Sequence, residues 1–316
     1  MAIKKDGTDT VFVSELPEKT WNWLHMNKTE VVFSGMVKQQ ETLNLDEFEL
    51  MTDPLVFDYR DKASEHAERL LQISAARGSS ACVVIMMEEE KDSKTIQEVD
   101  MQLAADASVT LYVVQQSGEN ATCSFSLTGT CGDGALIQLM QIQTGKGTIY
   151  SNGIVELSGK KSDFLAQVGY MAVENAHFDM NYIVKHYGVN TKSKITLKGV
   201  LSQTAFKLFR GTIDFKKGCA GSKGGEMEDV LLLGDEVTNQ TIPLILCGEE
   251  DVEGNHGATI GRLDDNTLFY LGSRGFTEQE ASEMIAVERM KAYCKMLPLP
   301  ELQDRVLQYV TETEVV

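Results

Sequence analysis

Ala121-Thr122-Cys123-Ser124-Phe125-Ser126-Leu127-Thr128 alternates apolar and polar residues at every step, the two-residue period of a strand with one buried face. Further along, Phe178, Met180, Tyr182 and Val184 alternate with Asp179, Asn181 and Lys185, and only Ile183 interrupts the polar side. Ile195 and Leu197, Phe206 and Leu208, and Ile213 and Phe215 continue the pattern in short pieces. Turn signals separate the pieces: Gly129, Gly132-Asp133-Gly134, Gly145-Lys146-Gly147, Asn152-Gly153, Gly159, Gly188, Gly199, Gly211, Gly218 and Gly221 to Gly225. Many short, evenly spaced strands predict a sandwich, a barrel or a β-helix. No strict sequence repeat is visible to choose among them.

The flanks read differently. In residues 60–76, Ala63, Ala67, Leu70, Leu71 and Ser74 fall on one face at helical spacing, with Gly78 as a stop, which predicts a helix. Met86 to Asp92 reads as a polar break. Both tryptophans lie in Lys19-Thr20-Trp21-Asn22-Trp23-Leu24. At the other end, Thr277-Glu278-Gln279-Glu280 is a capping box. Ala281, Met284, Ile285 and Glu288 follow, and that helix is expected to reach about Met296, before Pro298. Pro300 is suited to open a second helix, with Leu302, Val306, Tyr309 and Val310 as its stripe. The expected organisation is a mixed, helical segment over 1–80, a β core over 81–263 and a C-terminal helical segment over 264–316.

Composition narrows the function. The chain has 316 residues, 29 basic against 47 acidic, a net charge of −18. Phosphate-bearing partners are bound by clustered lysine and arginine, so a nucleic-acid or anionic-membrane binder is not expected. A content of 42% hydrophobic and 24% charged residues argues for a folded globular chain. No apolar run approaches membrane-spanning length, and the N-terminus lacks a signal-type apolar region. The six cysteines, at 82, 123, 131, 219, 247 and 294, form no CxxC pair. Reduced thiols and a cytoplasmic location are the expectation, with Cys219 and Cys247 read as buried structural residues.

Motifs of catalysis are missing: no GxxxxGK[ST] loop, no GxGxxG opening a helix, no HExxH and no GxSxG elbow. Gly145-Lys146-Gly147-Thr148 reads as a turn between strands. His25, His66, His177 and His186 are isolated and expected to be structural. His256 differs, because Gly254 and Gly257 flank it in Glu253-Gly254-Asn255-His256-Gly257-Ala258-Thr259. A neutral imidazole in such an open setting can act as a ligand.

Residues 249–285 carry a longer pattern: His256-Gly257-Ala258-Thr259, Leu263-Asp264-Asp265, Leu268-Phe269-Tyr270-Leu271 and Ser273-Arg274-Gly275. In that order they resemble the C-terminal signature of the SufB/SufD family, scaffold proteins of the SUF iron–sulfur cluster assembly system, and the SufD form more than the SufB form. Lys19 to Leu24, Gly188 to Ser193, Lys198 to Val200 and Phe209-Arg210-Gly211 agree with the same family. The resemblance implies a mainly β fold, a right-handed parallel β-helix flanked by N-terminal and C-terminal helical segments. It also implies a scaffold without catalysis of its own, paired with a SufB-like subunit and bound through its C-terminal helices to a SufC-like ABC-type ATPase.

By the same resemblance, a transient iron–sulfur cluster assembles at the partner interface, with none held stably by the isolated chain, and His256 is the candidate cluster or metal residue there. Thr277, Glu280, Met284, Ile285, Leu302, Val306, Tyr309 and Val310 become candidate partner-binding residues. One departure stands out: the cysteine usual two residues before the histidine is Gly254, so no thiolate is available at that point. Two other readings stay open, a polysaccharide-processing enzyme on a β-helix and a self-associating interaction module that is a homodimer when isolated.

Overall fold

The computed structural model describes residues 4–5, 10–18, 26–33, 35–59, 66–89 and 91–315. Three short antiparallel strands come first: β1 (Lys4–Lys5), β2 (Thr10–Val13) and β3 (Thr29–Val32). Then follow β4 (Val37–Leu45), β5 (Leu55–Asp58), β6 (Ala67–Ala75), β7 (Ser80–Glu89), β8 (Lys94–Leu103), β9 (Ser108–Ser117), β10 (Thr122–Cys131) and β11 (Leu136–Gly145). The series continues with β12 (Thr148–Leu157), β13 (Asp163–Ala172), β14 (His177–His186), β15 (Lys192–Ser202), β16 (Phe206–Phe215), β17 (Ser222–Leu233), β18 (Thr238–Cys247) and β19 (Val252–Gly261). Three helices end the chain: α1 (Asp265–Ser273), α2 (Glu278–Cys294) and α3 (Pro300–Glu312).

Even-numbered strands from β4 to β18 form one eight-stranded parallel sheet, and odd-numbered strands from β5 to β19 form another. Each strand pairs with the strand two further along, so the chain coils as a parallel β-helix with two strands per turn. The sequence leaves sandwich, barrel and β-helix open; the parallel register, Thr122 opposite Thr148 and Thr148 opposite His177, belongs to the coil.

One corner is repeated at each even-to-odd turn from β4–β5 to β16–β17, and only the last, β18–β19, lacks it. Phe48, Gly78, Asp106, Gly134, Lys161, Asn190 and Gly221 all have φ between 56° and 74°. Their amides point along the coil axis and donate to the next turn: Asp106 to Asp133 O at 2.7 Å, Gly134 to Lys160 O at 2.8 Å, Asn190 to Ala220 O at 2.9 Å and Gly221 to Asp251 O at 2.7 Å. A small residue follows each corner from the second onward, namely Ser79, Ala107, Ala135, Ser162, Thr191 and Ser222, and all six are buried.

Between the sheets lies the core. Alternate strand positions point inward, as in Val109, Leu111 and Val113 on β9 and Phe178, Met180, Tyr182 and Val184 on β14. Halfway along, the interior turns polar but stays neutral: Ser151 Oγ donates to Gln115 Oε1 at 2.6 Å and accepts from Gln141 Nε2 at 2.9 Å and Gln143 Nε2 at 2.7 Å. His186 is also inside, with its ring nitrogens 2.7 Å from Thr191 Oγ1 and 2.9 Å from Ser193 Oγ; burial pushes its pKa down to about 4. His177 lies on the outer face, stacked on Phe206 at 4.4 Å.

Both outer faces are partly covered. The N-terminal sheet lies against the even sheet, where Val13 and Phe33 pack on Ile96. Beneath it Arg210 and Asp179 form a fully buried ion pair; Arg210 Nε donates to Met26 O at 2.7 Å and Thr29 Oγ1 to Asp179 Oδ2 at 2.8 Å. Helices α2 and α3 lie along the outer face of the odd sheet. Ala286, Met290, Tyr293, Leu302, Val306 and Val310 cover a stripe made of Met86, Val114, Ile142, Met171, Val200 and Leu231. Arg305 clamps α3 to Glu88 at 2.7 Å and Asp58 at 2.9 Å, and Arg289 ties α2 to Asp229 at 3.0 Å. No helix among the described residues is long and apolar enough to cross a membrane.

Two expectations change. The described part of the helix expected over 60–76 is the strand β6, with Ala67, Arg69, Leu71, Ile73 and Ala75 turned inward. Its pairing with β4 on one side and β8 on the other outweighs a helical spacing that four or five residues can show by chance. Helices expected elsewhere in 1–80 do not occur among the described residues there, and the coil already begins at Val37. The supposed polar break starts too early: Met86 and Met87 are fully buried on β7, one under the helices and the other in the core. Lys19 to Leu24 and His25 lie outside the described residues.

Close coil stacking gives a direct test. A Cβ on Gly159 would overlap the backbone of Gly132 and Asp133, which no rotamer change relieves, whereas Gly261 has open space. Gly159→Ala is expected to cost about 1–3 kcal/mol as overpacking, lowering the thermal midpoint, while Gly261→Ala leaves it within experimental error.

Candidate functional site

The last turn of the coil is where the sequence and the fold meet. β18 and β19 each pair with one neighbour only, so both sheets end there in a free edge. Register with β17 places Gly254, His256, Ala258 and Ile260 in the inward-facing columns of Gly224, Glu226, Glu228 and Val230. The geometry of Gly254 agrees, since a Cβ there would meet Ile245 and Phe215 inside the coil at 3.0 Å. The His256 side chain is exposed and has no hydrogen-bond partner among the described residues. Nothing has been stacked above it to cover it.

Directly below His256 the interior is charged. Glu226 is its register partner, 4% exposed, and has no hydrogen bond or ion pair among the described residues. Its carboxylate reaches across the lumen onto Gly211; a Cβ at Gly211 would overlap it. Beside it, Lys207 and Glu228 form a completely buried ion pair. Thr241 Oγ1 accepts from Lys207 Nζ at 3.0 Å and donates to Glu228 Oε2 at 2.7 Å. Burial lowers the Lys207 pKa, opposed by the Glu228 charge. Burial raises the Glu226 carboxyl to about 7; the Glu228 charge adds to the rise and the Lys207 charge offsets part of it. Tyr170, also fully buried, is pushed well above its ordinary range by the same desolvation, with Glu228 as a second cause.

None of this cluster could be selected from the sequence. Glu226 and Glu228 stand in Gly224-Gly225-Glu226-Met227-Glu228-Asp229, which reads as a solvated acidic turn. Their inward direction depends on the register of β17 with β15. The cysteines divide differently from expectation as well. Cys219 is buried, but Cys247 is exposed at the end of β18, because no further coil covers it.

The C-terminal candidates are split by the fold. The capping box forms, with the Thr277 amide donating to Glu280 Oε2 at 2.8 Å and the Glu280 amide to Thr277 Oγ1 at 3.1 Å. Those bonds hold the Glu280 carboxyl below its usual range. Leu302, Val306 and Val310 are buried on the chain's own sheet, Ile285 and Tyr309 are half-buried, and Met284 faces solvent. α1 was not singled out, yet it has no buried residue, and Phe269 and Tyr270 are 79% and 56% exposed. A cleft of about 570 Å³ runs under it, lined by Leu233, Arg262, Leu263, Leu268, Gln279 and Ser282.

The charge state of Glu226 is measurable through stability. A carboxyl whose folded pKa lies above its unfolded one binds its proton more tightly in the folded state. Stability then falls as pH rises from about 4.5 to about 7 and stays lower above that range. Glu226→Gln removes that dependence. Denaturant unfolding at a series of pH values is expected to show the variant gaining on the natural protein by up to about 3 kcal/mol between pH 4 and pH 9.

Comparison with known proteins points the same way. A family model described as the SufBD core domain of SUF system FeS cluster assembly matches residues 59–288. An iron-sulfur cluster assembly SufBD family protein of Mycobacterium tuberculosis (strain ATCC 25618 / H37Rv) is 34% identical over 128 residues, 40% of this chain and 15% of that protein. The iron-sulfur cluster assembly protein SufB of Bacillus subtilis (strain 168) is 30% identical over 129 residues, 41% of this chain and 28% of that protein. A SufBD family protein of Staphylococcus haemolyticus (strain JCSC1435) is 32% identical over 114 residues, 36% of this chain and 24% of that protein. The matched stretch therefore spans less than a third of the length of each of these relatives. Since the family model takes in the coil from its second turn to its free edge and continues into α2, this chain belongs to the SufBD family of the SUF iron–sulfur cluster assembly system.

Proposed function

We propose that the chain is a SufD-like scaffold subunit, without catalysis of its own, that works in the cytoplasm as part of a SUF complex. The observation that carries this reading is the free end of the coil, where His256 stands exposed on an unpaired strand above a buried charged cluster. A strand edge with unpaired amides and carbonyls is a template for another strand. A SufB-like subunit built on the same coil supplies edges of matching spacing, and its groups then face His256. The transient iron–sulfur cluster forms between the two chains. Gly254 leaves this side without a thiolate, so sulfur ligands come from the partner.

The SufC-like ATPase docks on the C-terminal segment. Leu302, Val306 and Val310 are committed within the chain, which leaves the exposed aromatic face of α1 with Met284 as the apolar contact. Aromatic side chains that stand in water in the free chain and are covered on binding are the residues that dominate an interface. Thr277 and Glu280 fix the start of α2 and with it the angle at which α1 is presented.

The complex tests the assignment. Co-expression with a SufB-like protein and a SufC-like ATPase is expected to yield a three-protein complex, and the purified chain alone to turn over no ATP. His256→Ala is expected to leave the complex intact and lower the cluster absorbance after anaerobic reconstitution; unchanged spectra would remove His256 from the site. Phe269→Ala with Tyr270→Ala is expected to weaken ATPase binding by at least tenfold, about 1.4 kcal/mol. Its thermal midpoint stays unchanged, because neither side chain is buried. Val306→Asp does the reverse, lowering the midpoint by placing a charge in the apolar seam.

A further inference from the structure

We infer that the N-terminal strands are a detachable cover: β1, β2 and β3 leave the even sheet together while the coil and helices stay folded, and the polar face they uncover docks the same segment of a second copy of this chain.

The two covers of the coil are attached in different ways. Helices α2 and α3 meet the odd sheet through a continuous apolar seam. The N-terminal strands pair only with one another, and among the described residues no backbone hydrogen bond joins them to the coil. Their apolar contact is small: Val13 and Phe33 meet Ile96, with Val31, Met36 and Tyr150 partly buried beside them. The connection from β3 into β4 passes through Gly35, which is exposed, has a φ of 68° and has open space around it. An element with few buried apolar contacts and no shared ladder opens below the free energy of global unfolding.

The face beneath is polar. Ser126, Asn152, Asn181 and Arg210 are register partners on four successive turns, and all four are buried. Side chains of this face hold the backbone of the cover: Arg210 Nε donates to Met26 O at 2.7 Å and Asn181 Nδ2 to Glu15 O at 3.4 Å. Thr29 Oγ1 donates in return to Asp179 Oδ2 at 2.8 Å. The fit is incomplete. Arg210 Nη2, Asn181 Oδ1, Ser124 Oγ and, on the cover, Ser14 Oγ are buried with no hydrogen-bond partner among the described residues. An unsatisfied buried polar group costs more than a typical hydrogen bond returns. Opening therefore hydrates four such groups and gives up three bonds and one small apolar contact. Seams that are made and broken are polar in this way, whereas permanent ones are apolar. The uncovered face matches the segment that left it, so the same segment of another copy takes its place with the contacts kept, as in domain swapping.

Hydrogen exchange on the full chain reads the opening directly. The amides of β2 and β3 are expected to be at least a hundredfold less protected than those of β14, whose exchange requires the coil to unfold. Thr29→Val removes the bond to Asp179 at matched size. It is expected to lower protection in β2 and β3 at least threefold further, with the thermal midpoint of the coil unchanged. Thr110→Val is the control, since its hydroxyl bonds Gln138 on the odd sheet, and it leaves β2 and β3 as they were. A fluorescent peptide of residues 10–33 probes docking. The full chain is expected to capture it at one saturable site, and to capture the same peptide carrying Thr29→Val at least threefold more weakly. Protection in β2 and β3 equal to that in β14, or no saturable capture, overturns the inference. Equal affinity for the two peptides also overturns it, because the peptide is then held away from Asp179.

Discussion

A residue with positive φ at the even-to-odd corners from β4–β5 to β16–β17 makes the coil possible. Two ten-residue strands can be joined in a flat turn only if the chain reverses within three or four residues, and a left-handed residue does that while aiming its amide along the coil axis. Each such amide finds a carbonyl one turn further on, so the corners form a hydrogen-bonded column parallel to the two sheets. The column sets the height of each turn, and the height sets the strand register. That register decides which side chains enter the lumen. A slip of one residue would send the core outward and the surface inward.

This constraint explains what could be read in the sequence and what could not. Strand period was legible over 121–128 and 178–184, where one face is apolar and the other polar. It was not legible in β7, where Met86 and Met87 are both buried because the helices cover the outer face; a strand buried on both sides loses its alternation. β6 was mistaken for a helix for a related reason, since Leu70 and Leu71 are adjacent apolar residues, one facing each way. The repeat itself is present but sits in the corners: Gly78-Ser79, Asp106-Ala107, Gly134-Ala135, Lys161-Ser162, Asn190-Thr191 and Gly221-Ser222. Each pair joins a left-handed position to a small buried one. Strand interiors accept any apolar residue of suitable size, so selection on them leaves no fixed letter to find.

The helices show the opposite limit. Both ends of α2 and the start of α3 were legible, because a capping box and a proline in the first turn are local chemistry. What each helix touches is not local. The stripe of Leu302, Val306 and Val310 fits a partner groove or the chain's own sheet equally well, and only the outer stripe from Met86 to Leu231 decides between them. α1 is the reverse case. Its Leu268-Phe269-Tyr270-Leu271 looks like core by composition, yet its aromatic residues face solvent.

The polar groups in the lumen change along the coil, beginning with Arg69 and Glu89 in the first turns. In the middle turns the polar groups are neutral, and Gln115, Gln141, Gln143 and Ser151 bond to one another. Such a network is tolerable because each amide exchanges water for a neighbour at little net cost. In the last two turns the lumen holds Lys207, Glu226 and Glu228; Lys207 pairs with Glu228, and burial together with the Glu228 charge raises the Glu226 carboxyl to about 7. An apolar residue at 226 would pack against Ile195 of the turn below with no such penalty. Local rules are broken in natural proteins where function requires it, and here the break lies one strand from the exposed edge, beneath the one histidine the sequence had already set apart.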